Sequence, residues 1–170
     1  MNRPILNIAD VEIQSVEPER APKGRNAANY DIRWGEIASR LGAQKLGYNL
    51  TIVAPGKRNC PFHNHHFEEE MFLILEGEGE LRFGSKRFPI KQGDIIACPT
   101  GGPESAHQII NTGNIEMRYL AVSTLAALEI CDYPDSGKFG VFEESPPGKE
   151  GQRFRYLSRQ GKSLDYWDGE

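Results

Sequence analysis

Residues Cys60–Gly77 read CPFHNHHFEEEMFLILEG. Three of the chain's four histidines fall within four residues here, three glutamates follow, and Met71–Leu75 is unbroken apolar sequence. Side chains alternate faces along a strand, so His63 and His65 share one face, and Glu70 shares parity with Phe72 and Ile74. His66 points the other way unless a turn intervenes. The apolar block predicts a strand buried on both sides, with Glu70 aimed at the interior as it begins. An unpaired buried carboxylate costs several kcal/mol or takes up a proton. It needs a cation, and neutral imidazoles with one carboxylate make a cage for a divalent metal.

A second cluster lies downstream. Gly93–Asn111, GDIIACPTGGPESAHQIIN, holds the remaining histidine, His107, which shares parity with Ile109. Three imidazoles and one carboxylate are thus expected to converge in one interior.

Outward from these stretches, short runs rich in β-branched and aromatic residues alternate with Gly and Pro: LGYNLTIV, EMFLIL, GELRFG, KRFPI, DIIACP, AHQII and IEMRYLAVS. That rhythm predicts an all-β sandwich or barrel. LEGEGELRFG reads as a hairpin turning at Gly77 and Gly79; no helix follows that could hold a phosphate, so a dinucleotide loop is not indicated. WGEIASRLG reads as a short helix with Trp34, Ile37 and Leu41 on one face and Gly42 at its end. After Ser123 the strand rhythm fades: YPDSGKFGVFEESPPGKEGQ reads mostly as loop, RFRYL as a late strand, and the aromatics of DYWDGE as packing back on the body. The expected organisation is an N-terminal arm with a short helix (1–44), a barrel (45–125) and a C-terminal extension packing on it (126–170).

The 170 residues are 38% hydrophobic and 26% charged, with 18 Gly, 11 Pro and a net charge of -4. Length suits one domain with a sizeable core. Basic residues are scattered, so no nucleic-acid footprint is read, and no basic amphipathic helix or roughly 18-residue apolar run points to a membrane. Three cysteines without a CxxC predict no disulfide framework, and a cytoplasmic location is the expectation.

The motifs resemble those of the cupin superfamily. Its first motif, G-x5-H-x-H-x3/4-E-x6-G, is matched by Gly56, His63, His65, Glu70 and Gly77, with one extra residue after Gly56. The second, G-x5-P-x-G-x2-H-x3-N, is matched by Gly93, Pro99, Gly101, His107 and Asn111, with five residues rather than two before His107. Fifteen residues separate Gly77 from Gly93, as in small single-domain bacterial cupins. The resemblance covers about Leu46–Val122; LGYNLTIVAPGKR, ACPTGGPESAHQ and YPDSGK are similar to a group labelled sugar-phosphate isomerases. It implies an all-β antiparallel jelly-roll barrel with short helical and loop flanks, and commonly a homodimer. It also implies one divalent metal ion, of manganese, iron, nickel or zinc, held by His63, His65, Glu70 and His107.

Around such a site Tyr48, Arg58, Glu104 and Gln108 are candidate substrate contacts, with His66, Tyr48 and Glu104 as candidate bases. Glu68 and Glu69 read as a solvated turn, Cys60 and Cys98 as small buried apolar groups, and Arg153 with Arg155 as an exposed strand edge. Four ligands around an octahedral ion leave two positions open. The expected activity is a metal-dependent isomerase acting on a sugar, sugar phosphate or other small polar metabolite; a metal-dependent dioxygenase and a non-catalytic small-molecule binder are the alternatives.

Overall fold

The computed structural model describes residues 4–19, 21–143, 154–161 and 163–170. Thirteen strands carry these described residues: β1 Gln14–Ser15, β2 Arg33–Glu36, β3 Leu46–Val53, β4 Asn64–His65, β5 Glu70–Glu76, β6 Glu78–Phe83, β7 Lys86–Lys91, β8 Ile95–Cys98, β9 His107–Ile110, β10 Met117–Thr124, β11 Leu128–Tyr133, β12 Lys138–Glu143 and β13 Arg155–Arg159. All pair antiparallel, in a six-stranded sheet ordered β1-β2-β3-β10-β5-β8, a four-stranded sheet β13-β12-β11-β4 and a three-stranded sheet β7-β6-β9. A two-way backbone exchange between His63 and His107 joins the two smaller sheets. They thereby form the barrel wall that faces the six-stranded sheet. No helix among the described residues is long and apolar enough to cross a membrane.

Strand parity sets the core. Phe72 and Ile74 of β5, Ile96 of β8, Ile109 of β9, Tyr119 and Met117 of β10 and Val53 of β3 fill the interior. The opposite face of the six-stranded sheet is covered by the N-terminal arm: Val11, Ile37 and Leu50 are buried together, with Tyr48, Leu75 and Leu120 packed against them. Met71 and Leu73 on that face stay half-buried, so β5 is fully enclosed only on its inner side.

Several sequence expectations change here. Trp34–Glu36 is strand, not helix, because Trp34 and Gly35 pair with Thr51 and Leu50 across β3; only Ser39–Leu41 makes a single 3-10 turn, ended by Gly42 at φ +76°. The stretch around Gly77 is a corner rather than a hairpin: β5 and β6 belong to different sheets. Gly77 turns with φ +84°, and a Cβ on Gly79 would lie 2.3 Å from the Ile110 carbonyl oxygen, so glycine is what lets the corner close. Pro134–Gly137 turns a genuine hairpin between β11 and β12, and the β4 sheet therefore draws strands from beyond residue 125. Tyr166 and Trp167 are exposed rather than packed back. Glu68 is buried, its Oε1 accepting from the Ala126 N–H at 2.9 Å; only Glu69 is exposed. Arg153 lies outside the described residues.

Candidate metal centre

His63 enters the barrel just before β4, His65 on it, Glu70 at the start of β5 and His107 at the start of β9. His63 and His107 exchange both backbone hydrogen bonds, His107 N–H to His63 O at 2.7 Å and the reverse at 3.2 Å. A pair of this kind places the two side chains side by side on one face. The five-residue segment ahead of His107 leaves this register intact. One ligand-type atom from each of His63, His65, Glu70 and His107 falls within 4.8 Å of the others.

Every imidazole presents Nε2 to Glu70: Oε2 lies 2.7 Å from His107, 3.3 Å from His65 and 3.8 Å from His63. The outward nitrogens are also occupied. His63 Nδ1 is 2.9 Å from the Pro61 carbonyl oxygen and His107 Nδ1 is 3.2 Å from that of Ser105. A carbonyl can only accept, so in both rings Nδ1 carries the proton. His107 then has a carbonyl on one nitrogen and a carboxylate on the other. Its Nε2 must either carry a second proton or direct a lone pair at a cation. The Nε2 of His65 is buried and faces Glu70 Oε2 at 3.3 Å. This donor set, with two fixed outer tautomers and three inner nitrogens converging on one carboxylate oxygen, fits a divalent ion.

Electrostatics agree. Burial, reinforced by the neighbouring histidines, pulls His63 down to about 4 despite Glu70, which leaves it neutral and able to donate a lone pair. Burial alone would raise Glu70, but the contacts with His107 and His65 outweigh it and hold the carboxyl well below the usual range. For His65, burial pulls down while Cys131 and Glu70 more than reverse this, pushing it up to about 11. Without a metal, His65 and Glu70 are therefore a buried ion pair. The cluster is not sealed: the side chains of His63 and His65 are 13% exposed and that of Glu70 18%, against 3% for His107. Solvent meets the cluster on that side.

A group invisible to motif reading supports the site. Glu129 on β11 is buried, and its carboxylate accepts from the N–H groups of His66, Phe67 and Glu68, at 2.9 and 2.8 Å for the first and last. It thus fixes the loop between His65 and Glu70. Cys131, two residues on, has Sγ 3.4 Å from His65 Nδ1, while Glu129 Oε1 is 3.8 Å from the same nitrogen. His65, Glu129 and Cys131 lie close enough to hold an ion of their own. The carboxylate of Glu129 is already committed to three donors, however, so the trio acts as an outer layer that orients His65. Strand parity would have placed Glu129 and Cys131 on one face, but only the pairing of β11 with β4 reveals which face.

The proposed substrate contacts separate. Tyr48 points to the outer face, into the cluster under the N-terminal arm. Gln108, adjacent to His107, points away from it and donates to the Cys60 carbonyl at 2.7 Å. Arg58 stacks 5.7 Å from the Tyr30 ring centre and reaches Gln108. Glu104 is on an exposed loop, accepting from the Gly102 N–H at 2.9 Å. His66 faces outward, Nε2 2.7 Å from Asp132 Oδ2. Among these residues none joins the four. The groups that surround them, besides Cys131 and Glu129 at His65, include Phe72, 5.8 Å from the His107 ring, Cys60, whose Sγ is 3.9 Å from His63 Nδ1, and Tyr133, whose ring stacks on His63 at 6.3 Å and 21°. Burial pushes the Cys60 thiol and the Tyr133 phenol up, each to about 12, so both hold their protons at neutral pH.

Residues 49–123 match the model of the Cupin domain family. The oxalate-binding protein of Thermotoga maritima is 46% identical over 116 residues, covering 68% of this chain and 93% of that protein. The chain is a cupin. An uncharacterized protein of Methanocaldococcus jannaschii is 38% identical to this cupin over 72 residues; the match takes in 42% of this chain and about half, 54%, of that relative's length. Among solved structures, a sugar phosphate isomerase from a cupin superfamily of Silicibacter pomeroyi superposes with a TM-score of 0.76, covering 96% of this cupin and 98% of that chain at 23% identity. That likeness extends the shared fold to the flanks outside residues 49–123.

Proposed function

We propose that this cupin holds one divalent ion through the Nε2 atoms of His63, His65 and His107 and the carboxylate of Glu70, and binds a small anionic, oxygen-rich metabolite at that site. The observation that carries this reading is His107, set between a carbonyl and a carboxylate with nothing but a proton or a cation able to satisfy it. One carboxylate against a dication leaves the centre about +1, which favours an anion. The oxalate-binding relative supports the same class of ligand. When bound, the metal would supply Lewis acidity toward a carbonyl or hydroxyl oxygen. The chain's own part is to orient three lone pairs through Pro61, Ser105 and Cys131, and to leave one side of the cluster open.

Isomerisation of a sugar or sugar phosphate is the second reading, supported by the open side and the +1 charge. It needs a group that takes a proton within hydrogen-bond reach of the substrate. Tyr48 points away from the site, and in the metal-free protein Cys60 and Tyr133 hold their protons, so binding is the first reading and proton transfer the second. A dioxygenase would require a redox-active metal such as iron. Homodimerisation is proposed with it as the assembly state.

The test is calorimetry of protein purified without a histidine tag, loaded with manganese or zinc, and titrated with oxalate. Saturable binding that disappears after chelation supports the proposal; equal binding with and without metal contradicts it. Solvent deuterium entering a sugar phosphate under nitrogen would move the assignment to the isomerase, and oxygen uptake with iron to the dioxygenase.

A further inference from the structure

The four-stranded sheet ends in a stretch of opposite electrostatic character. Tyr133, Lys138 and Arg159 stand directly across from one another on β11, β12 and β13. Directly paired residues project from one face, and by parity it is the face on which Cys131 reaches His65. Lys138 and Arg159 are therefore like charges in an arrangement that destabilises a sheet. Neither forms an ion pair among the described residues. The Lys138 ammonium lies 5.3 Å from the Tyr133 ring centre, and Arg159 Nε donates to the Ser136 carbonyl at 3.2 Å.

Nearby carboxylates are already committed. Asp132 accepts from Asn64 at 3.0 Å and meets His66 at 2.7 Å. Asp135 takes both terminal nitrogens of Arg82, at 2.7 and 2.8 Å. Lys138 and Arg159 line an open cavity of about 440 Å³ together with Pro103, Asp132, Tyr133, Gly137 and Phe139. Two cations against the one carboxylate of Asp132, itself hydrogen-bonded to Asn64, leave the cavity net positive, as an anion site is before its ligand arrives.

We propose that this cavity binds an anionic oxygen group, phosphate or carboxylate, between Lys138 and Arg159. Tyr133 forms one of its walls and stacks on His63 with its other contact, so the cavity and the metal cluster are separated by one aromatic ring. Resting on the function proposed above for the identity of the occupant, the anion is the charged end of the metabolite whose oxygen atoms face the metal cluster.

The experiment uses full-length, chelator-treated protein, titrated by calorimetry with inorganic phosphate and separately with malonate. Saturable binding of at least one is expected, weakened about tenfold or more in both Lys138→Gln and Arg159→Gln. Without any anion, each substitution should leave the melting temperature unchanged or raise it, because a repulsion is removed. The tighter of the two anions identifies the source, phosphate ester or carboxylate. Binding that never saturates, or that is equally strong in both variants, overturns the proposal. Because no metal is present in these titrations, a negative result leaves the metal centre standing, and failure to bind metal leaves a positive result here standing.

Discussion

Glu70 and the Lys138–Arg159 pair pose opposite electrostatic problems on either side of Tyr133. Glu70 is a buried anion surrounded by nitrogens that can all present lone pairs; Lys138 and Arg159 are two cations facing a cavity whose one carboxylate, Asp132, already accepts from Asn64. The first is held rigidly: its partners are fixed from behind by two carbonyls, a thiol and a carboxylate that secures the intervening loop. The second stands on the last strands of a sheet, half-buried or exposed. The contrast teaches that the barrel interior is built to hold an ion tightly, whereas its rim is built to meet a ligand that comes and goes.

The comparison can be broken or sharpened by substitution. Glu70→Gln removes the only carboxylate of the inner cluster and should weaken metal affinity more than about 100-fold, beyond the effect of any outer partner; competition against a coloured chelator reads this out. Next in size, Glu129→Gln keeps the shape but turns one of the two acceptor oxygens into an NH2 group facing backbone N–H. We expect about 10–100-fold weaker metal binding and about 1–3 kcal/mol lower stability by denaturant titration. If stability falls but metal affinity does not, Glu129 supports the fold and not His65.

Smaller effects follow from protonation. His65 is raised to about 11 in the metal-free protein and must be neutral to donate its lone pair, and His107 must give up its inner proton as well, so metal affinity should rise with pH, with about one to two protons released per ion near neutrality. Calorimetry in buffers of different ionisation enthalpy counts those protons; none released would mean that both rings are already neutral. The smallest effect is at the rim. Asp135 is held below its usual value first by its hydrogen bonds to Arg82, so its stabilisation is present above the ordinary carboxylate range and lost as pH falls through the depressed value. The pair is partly exposed, at 25% and 54%, so Asp135→Asn should cost only about 0.2–1 kcal/mol at neutral pH, read by thermal melting.

How much of this could be read from the chain depends on whether parity or pairing decides. His63, His65 and Glu70 were legible because alternation along one strand sorts them, and His107 because Ile109 betrays its face. Tyr48 failed because parity says which residues share a face, not which face is inside; the arm residues Val11 and Ile37, distant in sequence, claim that side. Gln108 failed for the complementary reason: a buried polar residue next to a ligand belongs to the other side of the strand. Trp34–Glu36 carries a helical pattern that pairing with β3 overrides. Glu129 and Cys131 lie after Ser123, where the strand rhythm fades, and Lys138 lies in a stretch whose Gly and Pro content reads as loop; only the β4–β11–β12–β13 register brings them to the centre and its rim.

Anomalous diffraction at the metal edge, from crystals of untagged protein soaked in manganese or zinc, tests the metal centre most directly. One peak per chain is expected, within bonding distance of the three Nε2 atoms and Glu70. No peak at that position under saturating metal, with His107 Nε2 still 2.7 Å from Glu70 and hydrogen-bonded to it, would contradict the account.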